Sequence, residues 1–236
     1  MDENWVSGSR EERQMRYQNN IVKKPWGYEY LAYENNECAL WLLHINKDQR
    51  TSMHCHPNKT TGLIILNGVG QVSFMKDDNI LSPTNKIMIR KGLFHTTKAI
   101  SDDGVSLFEI ETPVDKHDLV RLKDSYGREG MPFEDSSHDY PKQEECLWIK
   151  NPTAGATNTY EIAGCVLTVK NVLSTKEFYE IDDSVNVIFL QAGIVTEYGK
   201  IVAGAGDIVS GKIIKKLIKV FDNVKEETVI MKMERA

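Results

Sequence analysis

Three of the six histidines of this 236-residue chain stand close together, in Thr51-Ser52-Met53-His54-Cys55-His56 and Arg90-Lys91-Gly92-Leu93-Phe94-His95. Imidazoles at i and i+2 leave a strand on the same face, so His54 and His56 can point into one cavity, and His95 can join them from a neighbouring strand. Three neutral imidazoles bind Zn, Fe, Mn, Ni or Cu and leave positions open for water, substrate or O2. A divalent metal ion is therefore the expected cofactor. The other three read differently: His44 closes an apolar segment as a structural imidazole, while His117 and His138 lie in polar stretches and read as exposed.

Such a triad needs strands to carry it. Short apolar segments alternate with turns from Tyr28 onward: 29–33, 38–45, 62–66, 70–75, 86–89 and 105–111. This succession fits a barrel or sandwich. Gly62-Leu63-Ile64-Ile65-Leu66-Asn67-Gly68-Val69-Gly70 reads as a strand, a tight turn and a returning strand. A short helix is expected at Arg10 to Tyr17, and residues 129–159, rich in Pro, Gly, Asp, Ser, Thr and Asn, read as a linker. Strand patterns resume at Cys165 to Leu173 and Val185 to Leu190. There Ile188-Phe189-Leu190-Gln191-Ala192-Gly193 echoes Ile64-Ile65-Leu66-Asn67-Gly68, a weak internal repeat. Counting back from Gly193 by the His54-to-Gly68 separation reaches Tyr179, where Tyr179-Glu180-Ile181 holds no histidine.

The HxH pair, the glycine turn after an apolar strand and the later G-x-x-H resemble the two motifs of the cupin superfamily. Lys24-Pro25-Trp26-Gly27-Tyr28-Glu29 is similar to the opening of the cupin domain in type II mannose-6-phosphate isomerase/mannose-1-phosphate guanylyltransferase proteins. Asp118-Leu119-Val120-Arg121-Leu122-Lys123-Asp124-Ser125-Tyr126-Gly127-Arg128 is similar to that domain's close. The nucleotidyltransferase half of those proteins has no counterpart here. The resemblance implies an all-β chain, a double-stranded β-helix (jelly-roll) bicupin of two tandem barrels. Its expected divisions are an arm at 1–23, a metal-binding barrel at 24–128, the linker at 129–159 and a degenerate second barrel at 160–236.

One position departs from the pattern. The first cupin motif usually places a glutamate after HxH; here that position is Thr61, and no Asp or Glu occurs between Pro57 and Lys76. A site lacking that carboxylate is one unit less negative, which alters metal affinity and the acidity of bound water. Three His without a carboxylate also resemble thiol dioxygenases and related oxygenases built on cupins.

The resemblance implies a sugar-phosphate or nucleotide-sugar isomerase or epimerase of surface carbohydrate synthesis, in which the metal holds sugar oxygens while a base moves a proton through an enediolate. Glu109 and Glu111 share one face of a strand. Glu109 reads as outward and solvated; Glu111 reads either so or as the base, and Ile110-Glu111 matches an element of the resembled domain. Arg121, from the closing motif, joins Glu111 as a catalytic candidate. Anion recognition needs Arg or Lys donors; Arg50, Lys59, Arg90, Lys91 and Arg128 are the substrate-binding candidates. The competing expectations are a three-His dioxygenase and a non-catalytic cupin that binds carbohydrate or a partner.

Bulk properties narrow the setting. With 41% hydrophobic and 27% charged residues the chain can bury a sizeable core, and no apolar run approaches the ~20 residues that span a bilayer. Residues 1–20 are polar, unlike a signal peptide, so a cytoplasmic protein is expected. A net charge of -5 argues against general nucleic-acid binding. The four cysteines are scattered and suggest no disulfide framework; Cys55, opposite the histidine face, reads as a core thiol. A small-molecule substrate and a homodimer, paired through exposed sheet edges, complete the expectation.

Overall fold

The computed structural model describes residues 20–130, 146–153 and 155–236. The helix expected at Arg10 to Tyr17 and His138 lie outside the described residues. Strands dominate the rest, and every ladder is antiparallel.

The first half holds β1 (Ile21–Lys24), β2 (Gly27–Glu34), β3 (Ala39–Ile45), β4 (Met53–Cys55), β5 (Thr60–Asn67), β6 (Gly70–Ser73), β7 (Asp78–Leu81), β8 (Lys86–Ile89), β9 (Thr96–Ala99), β10 (Val105–Thr112) and β11 (Val120–Lys123). They form a six-stranded sheet β1-β2-β3-β10-β5-β8, a three-stranded sheet β7-β6-β9 and a pair β11-β4. The second half holds β12 (Thr157–Ile162), β13 (Cys165–Asn171), a 3-10 helix (Thr175–Glu180), β14 (Asn186–Gln191), β15 (Gly193–Val195), β16 (Ile201–Gly204), β17 (Ile208–Ser210), α1 (Gly211–Leu217), β18 (Asn223–Val224) and β19 (Val229–Arg235). Its sheets run β12-β13-β19-β14-β17 and β16-β15-β18. These sheets are open, each with two edge strands.

The strand orders of the halves correspond. β3-β10-β5-β8 of the first matches β13-β19-β14-β17 of the second, and β7-β6-β9 matches β16-β15-β18. The echo between Ile64-Ile65-Leu66 and Ile188-Phe189-Leu190 thus falls on β5 and β14, which hold equivalent places.

Continuous apolar runs on these two strands have a physical cause. Strand side chains alternate between faces, so a run such as Leu63-Ile64-Ile65-Leu66 requires both faces to be covered. Ile64 and Leu66 pack with Leu40, Leu42 and Phe108 against Leu167, Ile188, Leu190, Met231 and Met233 of the second half. Leu63 and Ile65 turn the other way, onto Trp41, Leu43, Leu107 and Val72. Phe189 and Val187 likewise face the second half's own core with Phe178, Ile194, Ile214 and Ile230. The two large sheets therefore lie face to face, and each keeps a separate core behind it.

The segment read as a linker is partly structural. Ile149 is buried in the core shared by the halves, and its N–H donates to the Ala32 carbonyl at 2.8 Å. Strand β12 begins at Thr157, inside the span read as linker, because Tyr160 and Ile162 add apolar contacts to the same core. Polar composition marked this stretch as a loop, but a few apolar residues pin it down.

Candidate metal centre

Strand β4 carries His54, His56 follows directly after its last residue, and His95 lies beside His54 as a direct cross-strand partner. The His54 N–H donates to the His95 carbonyl at 2.9 Å, and the His95 N–H donates back at 2.8 Å. The three rings gather with centroids 4.5, 5.0 and 5.6 Å apart, and all three residues are buried. Their ligating nitrogens lie within 4.8 Å of one another.

Each ring is held in one orientation by the main chain. Nδ1 faces the carbonyl of Ser52 in His54 (2.8 Å), of Asp118 in His56 (2.6 Å) and of Leu93 in His95 (3.0 Å). A carbonyl can only accept, so Nδ1 carries the proton in all three rings and Nε2 keeps a bare lone pair. That is the arrangement of metal-ligating imidazoles, whose second nitrogen is fixed by an outer hydrogen bond. Burial lowers all three pKa values, to about 3 for His56 and about 4 for His95, and His54 falls well below the usual range with help from the other two rings. The triad is neutral at pH 7 and ready to bind a cation.

The outer hydrogen bonds explain the closing motif. Strand β11 pairs with β4 and sets Arg121 opposite His54. Asp118 not only receives His56 but accepts the N–H groups of Asn58 (2.8 Å) and Lys59 (3.0 Å) on its carboxylate, fixing the chain that leaves β4. Asp124 pairs with Arg128 at 2.7 Å, and the Tyr126 hydroxyl donates to Gln49 at 2.9 Å. The motif is a strap across the histidine strand. Asp118 is thus a positioning residue, and its role does not show in the sequence because its partners, the His56 ring and the Asn58 and Lys59 N–H groups, stand about 60 residues away.

Two carboxylates complete the centre, and one corrects the sequence reading. On β10, Val105 and Leu107 face the inner core while Phe108 and Ile110 face the other half. By alternation Glu109 and Glu111 point inward, and both are buried. Glu109 is therefore not a solvated exterior group. Its Oε1 lies 3.8 Å from His56 Nε2. Burial, then the Glu111 charge, pushes the Glu109 pKa up. Glu111 follows the opposite course: burial opposes its charge, but Lys59 and Lys116 outweigh burial and hold it ionised. Lys59 Nζ sits 2.7 Å from Glu111 Oε1 and donates to the Asp115 carbonyl at 2.9 Å.

Around these groups opens a small cleft that is continuous with solvent. Cationic Lys24, Lys59, Lys116, Arg121 and Arg128 line it against three carboxylates, Glu29, Glu109 and Glu111. Lys116 lies 3.2 Å from Glu29 and over the Trp41 ring at 3.7 Å, and Lys24 lies 3.9 Å from Glu29. The opening motif thus delivers Lys24, Trp26 and Glu29 to the cleft. Lys24, Glu29 and Lys116 were not singled out from sequence, since their pairing depends on three separate elements meeting.

Of the anion-binding candidates, Lys59, Arg121 and Arg128 reach the cleft. Arg50, Arg90 and Lys91 do not: all three are exposed and none lines it. Arg90 and Lys91 occupy the turn after β8, where the main chain alone is engaged through the Gly92 N–H and the His56 carbonyl at 2.8 Å. His44 stacks on Tyr28 and bonds Ser106 at 2.9 Å, a structural role, and His117 is exposed.

The residues present fit a divalent ion. Besides the three bare imidazole nitrogens, the buried Thr61 Oγ1 and Glu111 Oε2 have no hydrogen-bond partner among the described residues, nor has His56 Nε2. Thr61 and Glu111 are cross-strand neighbours, so these orphaned atoms lie on the same inner face.

Comparison with known proteins adds a fold likeness. No protein-family model matches the chain, and no curated protein matches it. Among solved structures, KdgF from Halomonas sp. is 13% identical over 40% of this chain and 86% of its own, with a TM-score of 0.38. The capsular polysaccharide assembling protein CapF from Staphylococcus aureus is 13% identical over 44% of this chain and 34% of its own, at 0.41. A cupin-like protein from Thermotoga maritima is 19% identical over 43% and 80%, at 0.39. None of the three reaches a TM-score of 0.5, so the functional reading rests on the chain's own residues.

Proposed function

We propose that this chain is a bicupin whose first half is a metal-dependent sugar-phosphate or nucleotide-sugar isomerase or epimerase. The observation that carries the reading is the fixed triad of Nε2 lone pairs beside two inward carboxylates. His54, His56 and His95 would hold the ion. A divalent ion held there supplies a Lewis acid that polarises two neighbouring substrate oxygens.

The remaining work falls to the protein's own groups. A carboxylate of the Glu109/Glu111 pair takes the proton from the hydroxyl-bearing carbon next to the carbonyl, so that the electron pair moves onto the carbonyl oxygen to give an enediolate. The proton returns to the former carbonyl carbon as the hydroxyl proton passes to the other oxygen, or, for an epimerase, to the opposite face of the carbon that lost it. Arg121 and Arg128, at the cleft, together with Lys24 and Lys116, hold the substrate's anionic group. With five cations against three carboxylates the cleft favours an anion. The second half, without histidines, serves as a cover for the outer face of the first half's large sheet. Residues 24–128 and 160–236 are the two cupin units of this reading, in a cytoplasmic homodimer joined through an edge strand such as β12.

The test is isotopic. Metal-loaded protein incubated anaerobically in D2O with panels of aldose and ketose phosphates or nucleotide sugars should place deuterium on the reprotonated carbon of the product and, in recovered substrate, on the carbon that had lost its proton. Consumption of O2 with no exchange would assign the centre to oxygenase chemistry instead. Binding of sugar without either would make it a recognition module.

A further inference from the structure

We infer that Glu109 is the carboxylate ligand of the metal centre, moved from β5, where Thr61 stands, to the neighbouring strand β10. The inference rests on the three-histidine reading and deepens it.

The carboxylate missing from β5 is available one strand away. Thr61 pairs directly with Glu111 across the β5–β10 ladder, and Glu109 lies two residues along β10 on the same inner face. Two ligands about 2.1 Å from a tetrahedral ion stand roughly 3.4 Å apart. His56 Nε2 and Glu109 Oε1 are 3.8 Å apart. His56 belongs both to the histidine triad and to a second group with Glu109 and Glu111 whose ligand atoms lie within 4.8 Å of one another, so it is the ligand through which a carboxylate joins the centre.

The choice between the two carboxylates is decided by their neighbours. Glu111 gives Oε1 to Lys59 at 2.7 Å and has Lys116 at 3.9 Å, so a divalent ion on it would meet two ammonium charges. Glu109 has no lysine or arginine within 4 Å among the described residues; its one ionic neighbour at that range is His56. The two side chains therefore divide the work: Glu109 binds the ion, and Glu111, steadied by Lys59, presents Oε2 to the substrate.

Cobalt supplies the probe, because its visible spectrum reports the ligand set without any substrate. Metal-free wild type, Glu109→Gln and Glu111→Gln are titrated with Co2+. Glu109→Gln should weaken binding at least tenfold and change the visible bands, whereas Glu111→Gln should stay within about threefold of wild type. Adding Thr61→Glu to Glu109→Gln should recover most of the affinity. If Glu109→Gln does not fold, Glu109→Asp replaces it and should shift the bands. Wild-type affinity and bands in Glu109→Gln, an unshifted spectrum in Glu109→Asp, or a larger loss in Glu111→Gln than in Glu109→Gln would overturn the assignment while leaving the histidine site intact. A wild-type protein that takes up no Co2+ would instead remove the metal reading itself.

Discussion

Each imidazole of the triad spends its Nδ1 proton on a main-chain carbonyl, which leaves three Nε2 lone pairs able to hold a metal ion. Being buried and neutral has a cost in acid. An unfolded histidine protonates near pH 6.5, whereas folded His95 does so at about 4, so the unfolded chain binds more protons between those values. Stability is complete above 6.5 and falls as pH drops toward 4, by roughly 3 kcal/mol from His95 alone. Urea titrations of the metal-free protein at pH 7 and pH 4.5 should show this loss; equal midpoints would contradict it. The Lys59–Glu111 pair makes a second prediction. Replacing Lys59 with Met leaves a carboxylate in the interior without its nearest cation, and should cost about 3 kcal/mol, read from the denaturation midpoint. The sequence displayed the histidines through their spacing, but it could not display Glu109. A glutamate between apolar residues is consistent with either face of a strand, and only the register against β5 decides.

At the level of elements, strands covered on both faces were legible because their apolar runs are continuous, as in β5 and β14. Strand β4 is legible only through its i, i+2 histidines, since Met53-His54-Cys55 is three residues long and carries no apolar run. Within the span read as a linker, the apolar Ile149 packs into the shared core, which polar composition does not display. Gly27 shows how an element depends on a single position. Its φ is +150°, and a Cβ there would lie 2.0 Å from the His44 carbonyl oxygen, a main-chain atom of the paired strand. Gly27→Ala should destabilise the protein by roughly 2–3 kcal/mol and disturb the delivery of Lys24 and Glu29 to the cleft, measurable as a lowered melting temperature.

Across the whole molecule, the halves share a strand order but not a site. Where β4 and the residue after it carry His54 and His56 between β3 and β5, the second half has the 3-10 helix between β13 and β14, and it sends Phe178 into the core. Where the His95 turn follows β8, α1 follows β17 and sends Ile214 and Ile218 inward. The sheets of the halves correspond while these connecting segments differ, which is why the repeat is faint in sequence. The core between the large sheets joins the halves. Phe108, fully buried in it, should cost about 3–5 kcal/mol when truncated to Ala, and calorimetry should show one transition for the chain; two well-separated transitions would contradict a shared core.

The central claim, that His54, His56 and His95 form a metal centre, is tested most directly by metal content. Purified wild-type protein, dialysed against a trace of each divalent metal and measured by inductively coupled plasma mass spectrometry, should retain one ion per chain. His54→Ala, treated identically, should retain almost none. A wild type that holds no metal, or a His54→Ala protein that holds as much as the wild type, would contradict the account.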